Sequence, residues 1–213
     1  MNTRDELILA AERLFAVHGI DGVSLRRISA TTGQRNVAAA QYHFGDKQAL
    51  IQAIFDFRLA HVDAHRRALL DQVRAEGRTR DVRALVEVLV LPLSAQATLP
   101  DSHYLRFLNR MCDHQGRAVV PLSDIGPVNS AVEVGHLILD ALGPAPDPRT
   151  AQRNDLAGRL IIAGLADLEH RVGAESPTPD AEVYAAGLVD AVVAVLTAPS
   201  SAARPQDARP QDA

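Results

Sequence analysis

The apolar residues of the chain recur about every 3.6 positions, which is the period of an amphipathic helix. The first apolar stripe comprises positions 7, 8, 11, 14 and 15 and predicts a helix that ends at His18-Gly19. Thr3 and Glu6 have the spacing of a capping box, so we expect them to satisfy free N–H groups at the start of this helix.

Two short helices and one long helix are predicted to follow. Ser24 is placed to cap the second helix, which we expect to stop at Gly33 in a left-handed conformation. The third helix is predicted to begin near Asn36. Asp46 then caps a long helix whose apolar period continues to about residue 74.

Five further helices are predicted beyond the long helix, at 81–97, 101–115, 127–142, 149–173 and 180–197. Breaks that contain Pro and Gly separate them. The apolar run 88–91 would fit a buried strand by itself, but it lies inside a longer helical period and has no partner strand. The pattern therefore predicts an all-α protein of about nine helices.

The predicted helices divide into two domains and a tail. In residues 1–47, two short helices joined by a glycine-containing turn follow a first helix, which makes a helix-turn-helix domain whose last helix can enter the DNA major groove. Residues 48–199 are predicted to form a larger helical domain. Residues 200–213 repeat the pentad Ala-Arg-Pro-Gln-Asp and have nothing to bury, so we expect a disordered tail.

Composition and charge narrow the class of protein. With 47% hydrophobic and 23% charged residues the chain is a globular protein and not a disordered, collagen-like or disulfide-rich one. The formal net charge is −4, yet residues 22–47 carry four cations and one acid, a local basic excess. A single cysteine, Cys112, cannot form an internal disulfide, and no apolar run approaches a membrane span or a signal peptide. We expect a cytoplasmic protein with no membrane partner.

Motifs of catalysis are not found in the sequence. It has no nucleophile elbow, phosphate-binding loop or dinucleotide fingerprint, so we expect no enzyme and no cofactor. His61 and His65 share one helix face and would suit a metal, but the polar residues around them favour an exposed surface. No metal site is predicted.

A longer motif extends from Leu7 to Phe55. It reads AAERLFAVHGIDGVSLRRISATTG near its front and QYHFGDKQALIQAIF at its end, and it resembles the N-terminal domain of TetR-family transcriptional regulators. The residues that carry the resemblance are Phe15, Gly19, Ser24, His43-Phe44 and Gly45-Asp46-Lys47. The turn departs from the family's Gly-x-Ser, because Gly33-Gln34-Arg35-Asn36 is one residue longer. This shifts the position of a phosphate-contacting tyrosine onto Gln41, with Tyr42 beside it.

Side chains suited to DNA cluster in this segment. Groups that can hold phosphates and fix the register are Ser24, Tyr42, His43 and Lys47. Base reading is assigned to the third helix, where Arg35 can reach guanine, Asn36 or Gln41 can pair with adenine, and Val37 can contact a thymine methyl group. We therefore expect double-stranded DNA as a partner.

The region 84–142 has the composition of a small-molecule pocket, with many apolar residues and a few polar ones. We expect a largely apolar small-molecule effector between the long helix and the helices at 81–142. The predicted ligand-binding residues are Leu89, His103, Tyr104, Phe107, Leu108, Met111 and Leu137. For any single one of them an ordinary core position is an equal alternative.

The last two predicted helices carry small and aliphatic residues, and the apolar character of 185–198 exceeds what one face of a single domain requires. Part of this surface is predicted to meet another chain, and the resemblance implies a homodimer through a four-helix bundle. The predicted dimerisation residues are Leu160, Gly164, Leu168, Leu188, Ala191 and Val195.

These features predict a ligand-controlled repressor that binds a palindromic operator as a dimer. The resemblance implies that a small molecule tilts the long helix and moves the two DNA-binding heads out of register. Two alternatives stay open: an activator or regulator without a ligand, and a helical interaction protein that has lost DNA binding.

Overall fold

A computed structural model describes residues 2–32, 38–115, 130–143, 148–174 and 180–199, and every regular element in these ranges is an α-helix. The helices are α1 (Thr3–His18), α2 (Leu25–Thr31), α3 (Ala39–Phe44), α4 (Lys47–Ala75), α5 (Val82–Ala97), α6 (Tyr104–Gln115), α7 (Ser130–Leu142), α8 (Pro148–Gly173) and α9 (Ala181–Thr197). The predicted all-α class and the order of the helices are confirmed. The predicted tail lies outside the described residues.

Local side chains explain where the N-terminal helices begin. The Ser24 hydroxyl accepts a hydrogen bond from the Arg27 N–H at 3.2 Å, and the Asp46 carboxylate accepts one from the Ala49 N–H at 2.8 Å. Both predicted caps are confirmed. At the start of α1 the prediction is wrong, because Asn2 is the cap.

The Asn2 side chain accepts from the Asp5 N–H at 2.9 Å, and Thr3 is already the first helical residue. A Thr3–Glu6 capping box therefore does not form, since the cap lies one residue earlier. In α3 the described helix starts at Ala39, with Ala38 as a cap residue that makes no side-chain cap hydrogen bond. Gly33 and Asn36 lie outside the described residues.

The long helix α4 connects the N-terminal helices to the rest of the protein. α1 and α3 pack on it, and α5 and α7 pack on it as well. α6 lies between α1 and α8, and α9 packs against both α5 and α8. One hydrophobic core runs through these contacts.

Three phenylalanines show where the two predicted domains meet. The ring of Phe107 on α6 lies 6.2 Å from that of Phe15 on α1 and 5.4 Å from that of Phe55 on α4, measured between centroids. All three side chains are buried. Aromatic rings at this spacing attract one another and bury large apolar areas. The proposed boundary at residue 47 therefore crosses a continuous core.

A buried ion pair stabilises the same junction. Glu12 on α1 is 1% exposed, and its two carboxylate oxygens accept from Nε and Nη2 of Arg58 on α4 at 2.7 and 2.8 Å. The carboxylate also accepts from the His103 N–H just before α6, at 3.2 Å. Burial by itself lowers the pKa of Arg58, but the hydrogen bond and charge of Glu12 raise it above its ordinary value. Glu12 thus joins three elements at one point.

A second buried carboxylate holds the start of α6 against α8. Glu169 accepts from the backbone N–H groups of Leu105 and Arg106 at 3.1 and 3.0 Å, and from the Ser102 hydroxyl at 2.7 Å. A negative charge at a helix N-terminus satisfies free N–H groups and favours the helix dipole. The position of α6 is therefore fixed from both sides.

Candidate nucleic-acid interface

Ser29, which the sequence analysis did not single out, connects α2 to α3 through its hydroxyl group. Ser29 is fully buried; its hydroxyl donates to the Leu25 carbonyl at 3.2 Å and accepts from the Ala40 N–H at 2.9 Å. Ala40 lies in the first turn of α3, where backbone N–H groups lack helical partners. Ser29 therefore fixes the start of α3 relative to α2. The sequence feature that could have pointed to Ser29 is its small polar side chain directly after Ile28, which is buried.

Helix α3 buries its small residues and exposes its polar ones. Ala39 and Ala40 are buried, whereas Gln41, Tyr42 and His43 are exposed, Tyr42 to 84%. The Tyr42 and His43 rings meet edge to face, with centroids 5.3 Å apart. A large aromatic side chain this exposed contributes nothing to the core, so the face 41–43 is available to a partner.

Phe44 holds the end of α3 on the protein. Its ring is half-buried, and the Arg4 guanidinium of α1 lies over it at 5.4 Å from the centroid. Gly45 follows with φ of 78°, a left-handed conformation that favours glycine. This turn allows Asp46 to cap α4 directly after α3 ends.

Three of the predicted contact residues already have partners within the protein. The Lys47 ammonium is half-buried and donates to the Ile20 carbonyl at 3.0 Å, and the Gln41 side-chain amide donates to the Gly45 carbonyl. The Ser24 hydroxyl is occupied as a cap. An ammonium group has three donors, so Lys47 keeps hydrogens for a phosphate. Gln41 must turn away from Gly45 before it can read a base.

Five of the eight predicted DNA-binding residues lie among the described residues of the N-terminal helices. They are Ser24, Gln41, Tyr42, His43 and Lys47. The other three, Arg35, Asn36 and Val37, lie outside the described residues. Two more cations are nearby: Arg26 is exposed, and Arg27 is bound to the His18 ring nitrogen at 2.8 Å.

The predicted ligand-binding residues lie mostly in the core. Tyr104, Phe107, Leu108 and Met111 are buried along α6, and Leu89, His103 and Leu137 are partly buried. A crevice of about 130 Å³ opens between the C-terminal half of α4 and α5. It is lined by other residues, including Leu69, Val73, Val88 and Leu91, so the ligand assignments remain predictions.

The predicted dimerisation residues divide by burial. Leu168 and Leu188 are buried within the chain, Leu160, Gly164 and Val195 are partly buried, and Ala191 is exposed. A side chain at Gly164 would place its Cβ 3.1 Å from Leu188 Cδ1, so this glycine allows α8 and α9 to approach. Gly164 therefore has a packing role inside the protomer in addition to any role between chains.

The described residues contain neither a membrane-spanning helix nor a cluster of metal ligands. No helix there is both long and apolar enough to span a membrane. No three His, Cys, Asp or Glu side chains in the same ranges cluster as metal ligands, and His61 and His65 are exposed.

Comparison with known proteins agrees with the geometry. The family described as bacterial regulatory proteins, tetR family, matches residues 7–54. The HTH-type transcriptional repressor AcnR of Corynebacterium efficiens is 37% identical over 87 residues, which is 41% of this chain and 42% of that protein. The AcnR of Corynebacterium glutamicum is 37% identical over 86 residues, 40% of this chain and 42% of that one. The match thus spans less than half of these relatives.

A solved structure extends the likeness in fold to most of the chain. The TetR family transcriptional regulator PfmR from Thermus thermophilus superposes with a TM-score of 0.51 and covers 94% of this chain and 99% of its own. Sequence identity is 16%, so the likeness concerns the fold alone. The similarity to TetR-family regulators is therefore one of sequence at residues 7–54 and one of fold alone over most of the chain.

Proposed function

We propose that this protein is a ligand-responsive repressor that binds a near-palindromic operator as a homodimer and leaves it when a small molecule binds. The observation that carries the proposal is the exposed face 41–43 of α3, on a helix fixed by Ser29 within the family segment. A helix held in this way can be inserted into the major groove with its side chains pre-positioned. Such a role places the protein with the DNA in the cytoplasm.

The two proposed domains have different roles. Residues 1–47 bind DNA, and residues 48–199 bind the ligand and dimerise. Only Gly45 and Asp46 separate α3 from α4, so a displacement of α4 moves α3 with it. An effector must bind the DNA-free conformation more tightly than the DNA-bound one, or it shifts nothing.

The surface of α8 and α9 supports dimerisation. Leu156 on α8 is 54% exposed and Val183 on α9 is 68% exposed. The outer face of α9 continues with the exposed residues Ala186, Gly187, Ala191 and Ala194. Faces of small and aliphatic residues allow two helices to come close, and a two-fold axis pairs each face with its copy. Two heads related in this way reach major grooves about 34–36 Å apart.

The primary test is an electrophoretic mobility shift with the DNA that flanks the gene, at two salt concentrations. A shifted complex with one preferred site, weakened by salt, is expected. A protein that binds no DNA in that region, or binds all DNA equally, contradicts the proposal and favours an interaction protein without a DNA-reading role.

The charge of Lys47 is expected to act on DNA phosphates. Lys47→Gln keeps a donor for the Ile20 carbonyl but removes the charge, so binding should weaken on all sequences alike and the salt slope should fall by about 1. Lys47→Arg is the matched control and should keep the slope. A slope unchanged in Lys47→Gln removes this residue from the contacts.

Gln41 is expected to read a base pair. Gln41→Ala should relax the preference at one position of each half-site by about 1–3 kcal/mol and leave binding to non-specific DNA unchanged. Affinities for single-base variants of the operator measure this. Loss of affinity that is equal on every variant would show that Gln41 acts only through its bond to Gly45.

A further inference from the structure

Arg66 is a buried arginine that has no counter-ion among the described residues. It lies on α4 in the larger domain and is 4% exposed. Its Nε has no hydrogen-bond acceptor, and no carboxylate of the described residues lies within ion-pair distance of its guanidinium. By contrast, the buried Glu12 and Glu169 have arginine partners in Arg58 and Arg106.

Asp63 is the carboxylate whose charge raises the pKa of Arg66, but it is hydrogen-bonded to other groups. Asp63, one turn earlier on α4, accepts from the Ser130 N–H at 2.8 Å, from the Ser130 hydroxyl at 2.6 Å and from Arg67 Nε at 2.6 Å. Burial lowers the pKa of Arg66, and the charge of Asp63 only partly opposes this. The ionised guanidinium therefore carries a desolvation penalty that its neighbours do not offset.

A hydroxyl group accompanies the guanidinium. Tyr104 on α6 is buried, and the charges of its phenol and of Arg66 shift each other's pKa. Burial raises the pKa of Tyr104, so the phenol stays protonated and can donate a hydrogen bond. Val62 and Leu70, four residues to either side of Arg66 on α4, are buried and apolar. Arg66 and Tyr104 can each donate to an anion, and the residues beside Arg66 on its face of α4 are apolar.

We propose that Arg66 and Tyr104 bind the anionic end of the effector, and that this effector is a carboxylate with an apolar body. The inference rests on the proposed ligand response. A guanidinium offers a planar pair of N–H groups that matches the two oxygens of a carboxylate. The bound carboxylate supplies the missing counter-charge, and the apolar residues receive the rest of the molecule.

The position of Tyr104 links this site to the DNA-binding head. The preceding residue, His103, donates its N–H to Glu12 of α1, and Glu12 binds Arg58 of α4. An effector held by Tyr104 is thus one residue away from the contact that joins α1, α4 and the start of α6. A shift of Tyr104 on binding therefore displaces His103 and alters its hydrogen bond to Glu12.

Calorimetric titration of the full chain, without DNA, tests the assignment. The probes are octanoate, its neutral analogue octanamide, and octyl phosphate. We expect octanoate to bind about 10- to 100-fold more tightly than octanamide, and Arg66→Met to lose that difference. Arg66→Lys should keep part of it, because it retains the charge without the paired donors. The control Arg67→Met, an exposed arginine on the same helix, should bind like the wild type.

A stability measurement separates a ligand anchor from a structural arginine. Without ligand, Arg66→Met should raise the melting temperature, because it removes a buried charge that has no partner. Octanoate should then stabilise the wild type and not the variant. A lowered melting temperature of Arg66→Met together with unchanged octanoate affinity overturns the proposal, as does failure of all three probes to bind the wild type at millimolar concentration.

The remaining outcomes are also decisive. Tighter binding of octyl phosphate than of octanoate overturns the carboxylate assignment in favour of a phosphate ligand. Because the titration needs no DNA, octanoate binding by a protein that binds no operator supports this site and contradicts the proposed function. Operator release by a ligand that binds Arg66→Met with wild-type affinity supports the proposed function and contradicts this site.

Discussion

Glu12→Ala is expected to destabilise the protein by about 3–5 kcal/mol, because it leaves the Arg58 guanidinium without its buried partner. The substitution also removes the acceptor of the His103 N–H. Chemical unfolding by urea, followed by circular dichroism, measures the loss. Because Glu12 joins α1 to α4 and to the start of α6, loosening of the DNA-binding head should accompany the lost stability.

Two controls identify the cause of this loss. Arg74→Ala breaks exposed pairs with Asp71 and Glu133 and should cost no more than about 1 kcal/mol. The double variant Glu12→Leu/Arg58→Met removes both charges and should recover much of the stability, since no charge is left unpaired. If Glu12→Ala loses no more than Arg74→Ala does, the buried pair does not hold the junction.

Local patterns explain why the helices could be predicted. A helix buries one stripe of residues, so its period is visible in the sequence, and a cap such as Ser24 or Asp46 acts on backbone only three residues away. Where the prediction failed, at Asn2, two adjacent residues could both serve as caps. The spacing of Thr3 and Glu6 favoured a cap at Thr3, whereas asparagine is the stronger cap residue of the two.

The contacts that position the candidate site are not local. Arg58 and Glu12 are separated by 46 positions, Lys47 and Ile20 by 27, and Ala40 and Ser29 by 11. No period or motif reports such pairs, because they depend on how α1, α2, α3 and α4 pack. The residue types of the DNA-binding face could be predicted, but the occupied side chains of Gln41 and Lys47 could not.

Gly164 on α8 is a further residue whose contacts could not be predicted from the sequence. Its small size suggests close contact between helices, and the structure shows that a contact with α9 of the same chain already uses it. The Tyr184 hydroxyl also donates to the Gly164 carbonyl, at 2.9 Å. A charge at this position would disrupt the protomer itself, so it cannot test dimerisation cleanly.

Ala191→Asp is the sharper test of the homodimer. Ala191 is exposed on α9, so an aspartate there leaves the packing of the protomer unchanged. At a two-fold interface the substitution places two negative charges near each other and desolvates them, which should give folded monomers. A single head offers too small an interface for tight specific binding, so operator affinity should fall at least about 100-fold.

Sedimentation velocity at micromolar concentration and mobility shifts on the full operator measure the two effects of Ala191→Asp. Ala68→Asp, at an exposed alanine of α4, is the matched control and should leave both dimer and affinity intact. A half-site should be bound equally by the wild type and by Ala191→Asp, since each head is unchanged. A wild-type monomer with full operator affinity would contradict dimeric recognition, because one head would then supply the whole binding energy.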